Sequence, residues 1–292
     1  MNRLQTLLAL CLITITVAGY YVYVRGTFAQ ATNCPRISRI ANPSRNHKNG
    51  KTILDYFYAM RLIPSGNFQM GDVNGEGDER PVYKASVSEF YMGATPVTVA
   101  MWREYTLAMN LPMPEPPEWG WIEGHPMVNV SWDDIMGPDG RGGYCAWASG
   151  VTGVRLTLPT ESQLEYVARN GTDEKYPWGR EFDDSKVWAS VKWKRSQPAP
   201  VIRSYSIHLN RYGVTDMIGN VSQWCLNEYS AYSVKGHRPE YGTDYIDSET
   251  YSIRGGTYLD ESAKQLRVTN RMKRMSYRWH PYLGFRLSTG PF

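Results

Sequence analysis

The chain has 292 residues, enough for one large domain or two small ones. Hydrophobic residues make up 42% and charged residues 21%, which excludes a wholly disordered or collagen-like chain. A net charge of +4 is too small to imply nucleic acid, and four cysteines in so long a chain do not make a disulfide framework. The 26 Gly and 18 Pro, about 15% of the chain, exceed the roughly 12% of average usage and predict many turns and little long helix. Twenty-one Tyr and ten Trp stand against seven Phe. Aromatics with a polar tip suit positions that are half buried and half wet.

In chain order, residues 4–24 come first: uncharged, mostly apolar and long enough to span a bilayer. Ala29-Gln30-Ala31 fits a signal-peptidase site, so residues 1–31 read either as a cleaved signal peptide or as an uncleaved anchor and membrane tether. The basic residues Arg25, Arg36, Arg39, Arg45, Lys48 and Lys51 oppose export by the positive-inside rule, whereas the cleavage-like site favours it. The expectation is a periplasmic protein, or one anchored in the inner membrane and facing the periplasm. Cys11 reads as an apolar filler. Cleavage after Ala31 would leave Cys34, Cys145 and Cys225, an odd number, and Cys145 in its apolar run reads as a small buried hydrophobe. Residues 32–52 form a basic linker, and 53–292 read as one domain without repeats.

Within that domain, Met60–Pro64 and Ser65–Gly71 read as strand, turn, strand, with Gly66 at the turn, and Ala85–Tyr91 alternates as a single strand. Thr98 caps a helix running to Ala108. Ser131 opens a second helix, with Asp134 completing an imperfect capping box, and Gly137–Gly143 interrupts it. Thr160 and Gln163 form the capping box of a third helix, whose apolar face is Leu164, Val167 and Ala168 and which Asn170-Gly171 ends.

A series of segments then identifies a family. Leu62–Gly71, Asp78–Val82, Pro96–Thr98, Pro126–Asp134, Leu158–Tyr166, Tyr176–Gly179, Asp216–Val221, Arg254–Tyr258 and Leu283–Arg286, in this order, resemble the sulfatase-modifying-factor family, which includes the formylglycine-generating enzymes. The resemblance implies an α+β fold, loop-rich and akin to C-type lectins, in a single domain with short strands and a few short helices. In the formylglycine-generating enzymes a Cys pair after the Gly-Gly-Ser-Tyr motif binds copper, as soft thiolates suit Cu(I). Here the motif reads Gly255-Gly256-Thr257-Tyr258, and the two Cys positions hold Asp260 and Gln265. Copper and the family's oxidation of a sulfatase cysteine are therefore not expected. The five His show no i, i+4 pair for an iron site. Relatives of the sulfoxide-synthase type take iron ligands from a helical domain this chain does not show. The pyoverdine-maturation relative, which also acts without the Cys pair, is the nearest enzymatic precedent.

The resemblance also implies a structural calcium, held by the Asp216 side chain, the Gly219 and Val221 carbonyls and Gln223. Gln223 replaces the family's usual Glu, and Ser222 its usual Trp, which weakens the oxygen set a hard cation wants. Lastly, the family's substrate cleft is lined by the segment in which Lys264, Arg267, Arg271, Lys273, Arg274, Arg278 and Arg286 follow the last acid, Glu261. Met272, Met275, Tyr277, Trp279, His280 and Tyr282 interleave with them. One reading makes Arg267, Arg271 and Arg286 framework arginines paired with acids. The other makes Arg267, Arg271, Lys273, Arg274, Arg278 and Trp279 a surface for a protein or a small acidic or planar ligand, with Lys273, Arg274 and Arg278 as the better candidates.

Two functions follow. The first is a non-catalytic binding or accessory protein of the cell envelope, an adaptor or toxin-neutralising partner. The second is a periplasmic oxidoreductase of the pyoverdine-maturation type acting on a small exported metabolite or peptide, with Thr257, Tyr258, Asp260, Gln265 and His280 as cleft candidates.

Overall fold

The first described residue is Thr52, whose hydroxyl accepts the Asp55 N–H and caps α1 (Ile53–Tyr58). The computed structural model describes residues 52–201, 209–233 and 250–290, all within one compact unit, Ile40–Phe292. The second unit, Met1–Arg39, with the signal or anchor, and most of the linker lie outside the described residues. Among the described residues no helix is long and apolar enough to cross a membrane.

The order continues β1 (Arg61–Ile63), β2 (Gly66–Met70), β3 (Tyr83–Val87), β4 (Phe90–Met92), α2 (Val99–Met109), α3 (Trp132–Met136), α4 (Gly143–Thr152), α5 (Glu161–Ala168), β5 (Ser222–Glu228), β6 (Thr250–Arg254), β7 (Arg271–Met275), β8 (Leu283–Gly284) and β9 (Ser288–Thr289). This is a mixed α/β fold of short helices and three small sheets. β1, β4 and β9 form one sheet in that order, β2 pairs with β3, and the largest sheet runs β7-β6-β5-β8 with only the β5–β8 pair parallel.

The helix starts follow the capping chemistry. Thr98 accepts the Met101 N–H, Ser131 the Asp134 N–H and Thr160 the Gln163 N–H. The Ser131–Asp134 box is complete, because the Asp134 carboxylate takes the Ser131 N–H in return at 2.9 Å. The strand expectations need two corrections. β1 and β2 are not a hairpin: β1 pairs with β4, β2 with β3, and Gly66 is the first residue of β2 rather than a turn. The run Ala85–Tyr91 likewise splits between β3 and β4, which belong to different sheets.

Two large apolar clusters, and a small third of Met70, Tyr83, Ala85 and Tyr232, fill the interior of the described residues. In the first, Trp102 stacks on Tyr144 (5.1 Å between centroids) with Tyr105 and Phe285 edge-on. The second gathers Ile63, Phe90, Met92, Leu164, Val167 and Val187. Cys145 is buried in the first cluster and Cys225 in the second, both as free thiols.

Between α5 and the largest sheet lies a charged layer. Arg271 on β7 grips Glu161 with two bonds of 2.7 Å, and Arg254 on β6 bonds Glu161 at 3.0 Å and pairs with Glu165 at 2.8 Å. Arg169 closes the chain onto Glu165 at 2.8 Å and onto the Gly71 carbonyl at 2.7 Å. Arg267 holds Glu79 with two bonds of 2.6 Å. All seven side chains are buried. Removing such charges from water costs several kcal/mol each, so paired and fully bonded geometry is the condition for keeping them inside. Burial by itself would raise the Glu161 carboxyl, yet Arg254 and Arg271 hold it below the usual carboxylate range.

Candidate functional site

β6 ends at Arg254 and runs into a turn that the backbone builds around Gly256. At φ 66°, a side chain there would bring its Cβ within 2.8 Å of the Asp260 carboxylate and within 2.9 Å of the Gln265 carbonyl. The Asp260 carboxylate accepts the Thr257 N–H at 2.7 Å, and the Thr257 hydroxyl accepts the Leu259 N–H at 3.0 Å. Ser190 clamps the turn from outside: its N–H donates to the Asp260 carbonyl and its hydroxyl to the Tyr258 carbonyl. Tyr258 donates its own N–H to the Asn220 carbonyl. Its position is thus fixed from both sides. The ring meets Trp119 edge-on at 5.9 Å. Burial, with Glu118 and Tyr282 nearby, pushes the phenol up to about 12, so it is a neutral donor at physiological pH.

The opposite wall follows β7. The Ser276 carbonyl receives the Trp132 N–H at 2.8 Å, and the His280 carbonyl receives the N–H groups of Asn129 and Leu283. These bonds tie the 276–282 loop to α3 and to β8. The His280 ring stacks on Tyr282 at 4.8 Å with an interplanar angle of 7°. Burial, then the charges of Arg274 and Arg278, lower its pKa, leaving the imidazole neutral at pH 7. Arg274 reaches the Tyr282 hydroxyl at 3.4 Å. Half-buried Trp119, His280 and Tyr282 thus form aromatic walls around the buried Tyr258, beside Arg274 and Arg278, where the resemblance expects the cleft. Such walls can stack a planar group and hold an acidic one.

The structure divides the basic segment. Arg267 and Arg271 belong to the buried charged layer, so their expected place on a recognition surface is corrected: each guanidinium is spent on an interior carboxylate. Arg286 is also buried. It donates to the carbonyls of Gly93, Thr215 and Asp216 and to the Gln223 side chain. Lys273, Arg278 and Trp279 are exposed and Arg274 is half-buried; among the described residues no carboxylate pairs with these three cations. Gln265 is exposed, and Thr257 is buried in the turn.

The donors present do not suit the copper of the family's enzymes, and the expected calcium ligands are partly engaged within the protein. At the calcium stretch, the Gln223 amide oxygen accepts from Arg286 and its nitrogen donates to the Asp216 carbonyl at 2.7 Å, a carbonyl that Arg286 also occupies. Asp216 accepts from Asn220 at 3.1 Å, and Gly219 and Val221 flank that bond in the same turn. Of the four expected ligands, the Gln223 amide oxygen is thus already engaged by the Arg286 guanidinium. At the copper positions, a hard carboxylate engaged in its own turn and an exposed amide replace the thiolates. Among the described residues no three His, Cys, Asp or Glu side chains gather into a metal site.

Sequence reasoning missed Glu118 and Trp119. The cue was the run Pro114-Glu115-Pro116-Pro117-Glu118-Trp119, a stiff loop carrying aromatics where no core periodicity calls for them.

Residues 55–289 match the family described as the sulfatase-modifying factor enzyme 1-like domain. The formylglycine-generating enzyme of Streptomyces coelicolor is 28% identical over 293 residues, covering 77% of this chain and 87% of the relative. The inactive C-alpha-formylglycine-generating enzyme 2 of Bos taurus is 26% identical over 304 residues, covering 83% and 90%. Among solved structures, PvdO from Pseudomonas aeruginosa superposes with a TM-score of 0.68 at 23% identity, over 80% of this chain and 94% of PvdO. The Treponema denticola variable protein 1 superposes at 0.63 and 20% identity, over 80% and 95%. Matched over most of its length, the chain belongs to the sulfatase-modifying factor enzyme 1-like domain family.

Proposed function

We propose that this is an exported, non-catalytic binding domain of the cell envelope, periplasmic or tethered through residues 4–24. It holds a protein or a small acidic, planar ligand at the C-terminal basic-aromatic segment of Lys273, Arg274, Arg278 and Trp279 and acts as an accessory, adaptor or toxin-neutralising partner. The observation that carries the reading is Asp260: where the family's first copper-binding Cys stands, its carboxylate is committed to the Thr257 N–H of its own turn. The unpaired cations Lys273, Arg274 and Arg278 and the half-exposed Trp279 support the ligand class. The relative named as inactive in Bos taurus gives the same scaffold a precedent without formylglycine formation.

The test pairs two assays on the purified protein. Oxygen uptake is followed with copper, a thiol reductant and a cysteine peptide; binding is followed with a peptide of alternating Glu and Tyr. The expected result is no copper-dependent uptake, and peptide binding that the Arg274→Gln, Arg278→Gln double variant weakens about tenfold. Uptake that disappears in Asp260→Asn overturns the reading.

One observation favours the second reading, an oxidoreductase of the maturation type. Burial raises the Asp260 carboxyl and lowers the His280 imidazole, which brings the proton affinities of an acid and a base closer together. Full cellular function in the Asp260→Asn, His280→Gln double variant would remove it.

A further inference from the structure

A groove of about 370 Å³ opens between β2, β3 and the end of α5, and it shares no lining residue with the Tyr258 cleft. Its volume lies in the range of roughly 300–1,000 Å³ typical of small-molecule sites. The wall is a run of three half-buried rings: Phe68 lies 5.4 Å from Tyr166, and Tyr166 lies 6.1 Å from Tyr212 at 29°. Burial and a hydrogen bond with Tyr166 hold the Tyr212 phenol up at about 12, so this wall is uncharged.

The cation at its end is placed by an unusual device. Asn170 and Gly171 terminate α5 with left-handed backbone, φ 56° and 78°. The Arg211 side chain lies across Gly171, where a Cβ would come within 1.9 Å of its Nη1. The Asn170 side chain accepts the Arg211 N–H at 2.7 Å, and the guanidinium carbon stands 5.2 Å from the centre of the Tyr212 ring. Among the described residues no carboxylate lies within ion-pair distance of Arg211 or of Lys84 on β3, which lines the same groove. Arg169, also in the lining, is by contrast fully paired with Glu165. The one acid in the lining, Asp173, reaches only Arg169, at 3.9 Å. An aromatic wall, with Phe68 tilted 52° from Tyr166, thus ends in a guanidinium held by a glycine and a ring and, among the described residues, not by an acid.

We infer that this groove is a second binding site, for a small planar aromatic carboxylate. The ligand ring lies along Tyr166 and Tyr212, its carboxylate meets the Arg211 fork, and Lys84 adds a second positive charge. The fork suits the two oxygens of a carboxylate, and the vacancy over Gly171 lets it lie flat. The site is independent of the function assigned to the basic-aromatic segment.

Calorimetric titration of the full-length protein with 2-naphthoate, and with the uncharged 2-naphthylmethanol, tests the inference. Naphthoate is expected to bind with a submillimolar Kd, and naphthylmethanol about tenfold more weakly, the loss of one charge-assisted contact. Arg211→Gln should weaken naphthoate about tenfold and Arg211→Lys nearly as much, because an ammonium lacks the planar fork. Gly171→Ala, which displaces the guanidinium without removing it, should fall between them and the wild type. Because naphthoate is also of the class proposed for the basic-aromatic segment, the titration is repeated in the Arg274→Gln, Arg278→Gln background, where binding to the groove should persist. Equal affinity for both probes, an Arg211→Gln protein that binds like the wild type, a titration abolished in that background, or no heat up to about 10 mM would each overturn it.

Discussion

Arg271 and Arg274 stand three residues apart on one strand and meet opposite fates. Arg271 points inward, gives both arms to Glu161, and lies 4.1 Å from the centre of the Tyr232 ring and 4.3 Å from that of Tyr229. Arg274 points the other way, toward the Tyr282 hydroxyl, and among the described residues no acid pairs with it. The alternation of a strand is the reason, since neighbouring side chains leave by opposite faces. The two arginines show that a run of cations is not one thing. The interior set is structural and would fail without its carboxylates; the surface set is loosely held and free to act.

The sharpest way to break that contrast is Glu161→Gln. It leaves Arg254 and Arg271 buried without their shared counter-charge and should cost about 3–5 kcal/mol, read as a large fall in the denaturation midpoint. A loss under about 1 kcal/mol would mean the layer is not structural. The same carboxylate sets an acid limit. Its folded pKa lies below the unfolded value, so the stability it contributes is fully present above the unfolded pKa near 4.3 and is lost as pH falls through the folded one. Next in size is the Glu79–Arg267 pair. Either single replacement by an apolar residue should cost about 3 kcal/mol, while replacing both together should cost about 1 kcal/mol or less. Additive losses would show that the two do not act as a pair.

On the outer face the expected changes in stability are small. The Arg274→Gln, Arg278→Gln double variant should unfold within about 0.5 kcal/mol of the parent. A larger loss would move these residues into the framework and weaken the contrast. The smallest effect refines it: in Arg274→Gln the His280 pKa should rise toward its ordinary value, because one of the cations disfavouring imidazolium is gone. An unmoved histidine resonance in an NMR titration would mean that Arg274 does not contribute and that burial and Arg278 set it.

What was legible in the sequence divides along physical lines. Thr98, Ser131 and Thr160 announce their helices because a cap acts over three residues. Pairing of strands does not act over three residues. Pro64 and Ser65 separate two strands that go to different sheets, and nothing local says which partner each will find. The motif around Gly255 and Gly256 located the Tyr258 turn, since its geometry is carried by adjacent residues. Trp119 reaches the same cleft from 139 positions earlier in the chain, through a loop with no period to read. The fate of Gln223 was hidden for the same reason: its partner, Arg286, lies 63 residues away.

The two buried thiols carry a last consequence. A thiol reacts as its thiolate, and burial pushes both Cys145 and Cys225 upward in pKa, so neither reacts while its surroundings stay closed. They sit in different apolar clusters. Alkylation at each sulfur therefore works as a separate clock for the opening of its own half of the interior. Equal labelling rates would describe a core that breathes as a unit, and unequal rates would say which half opens first.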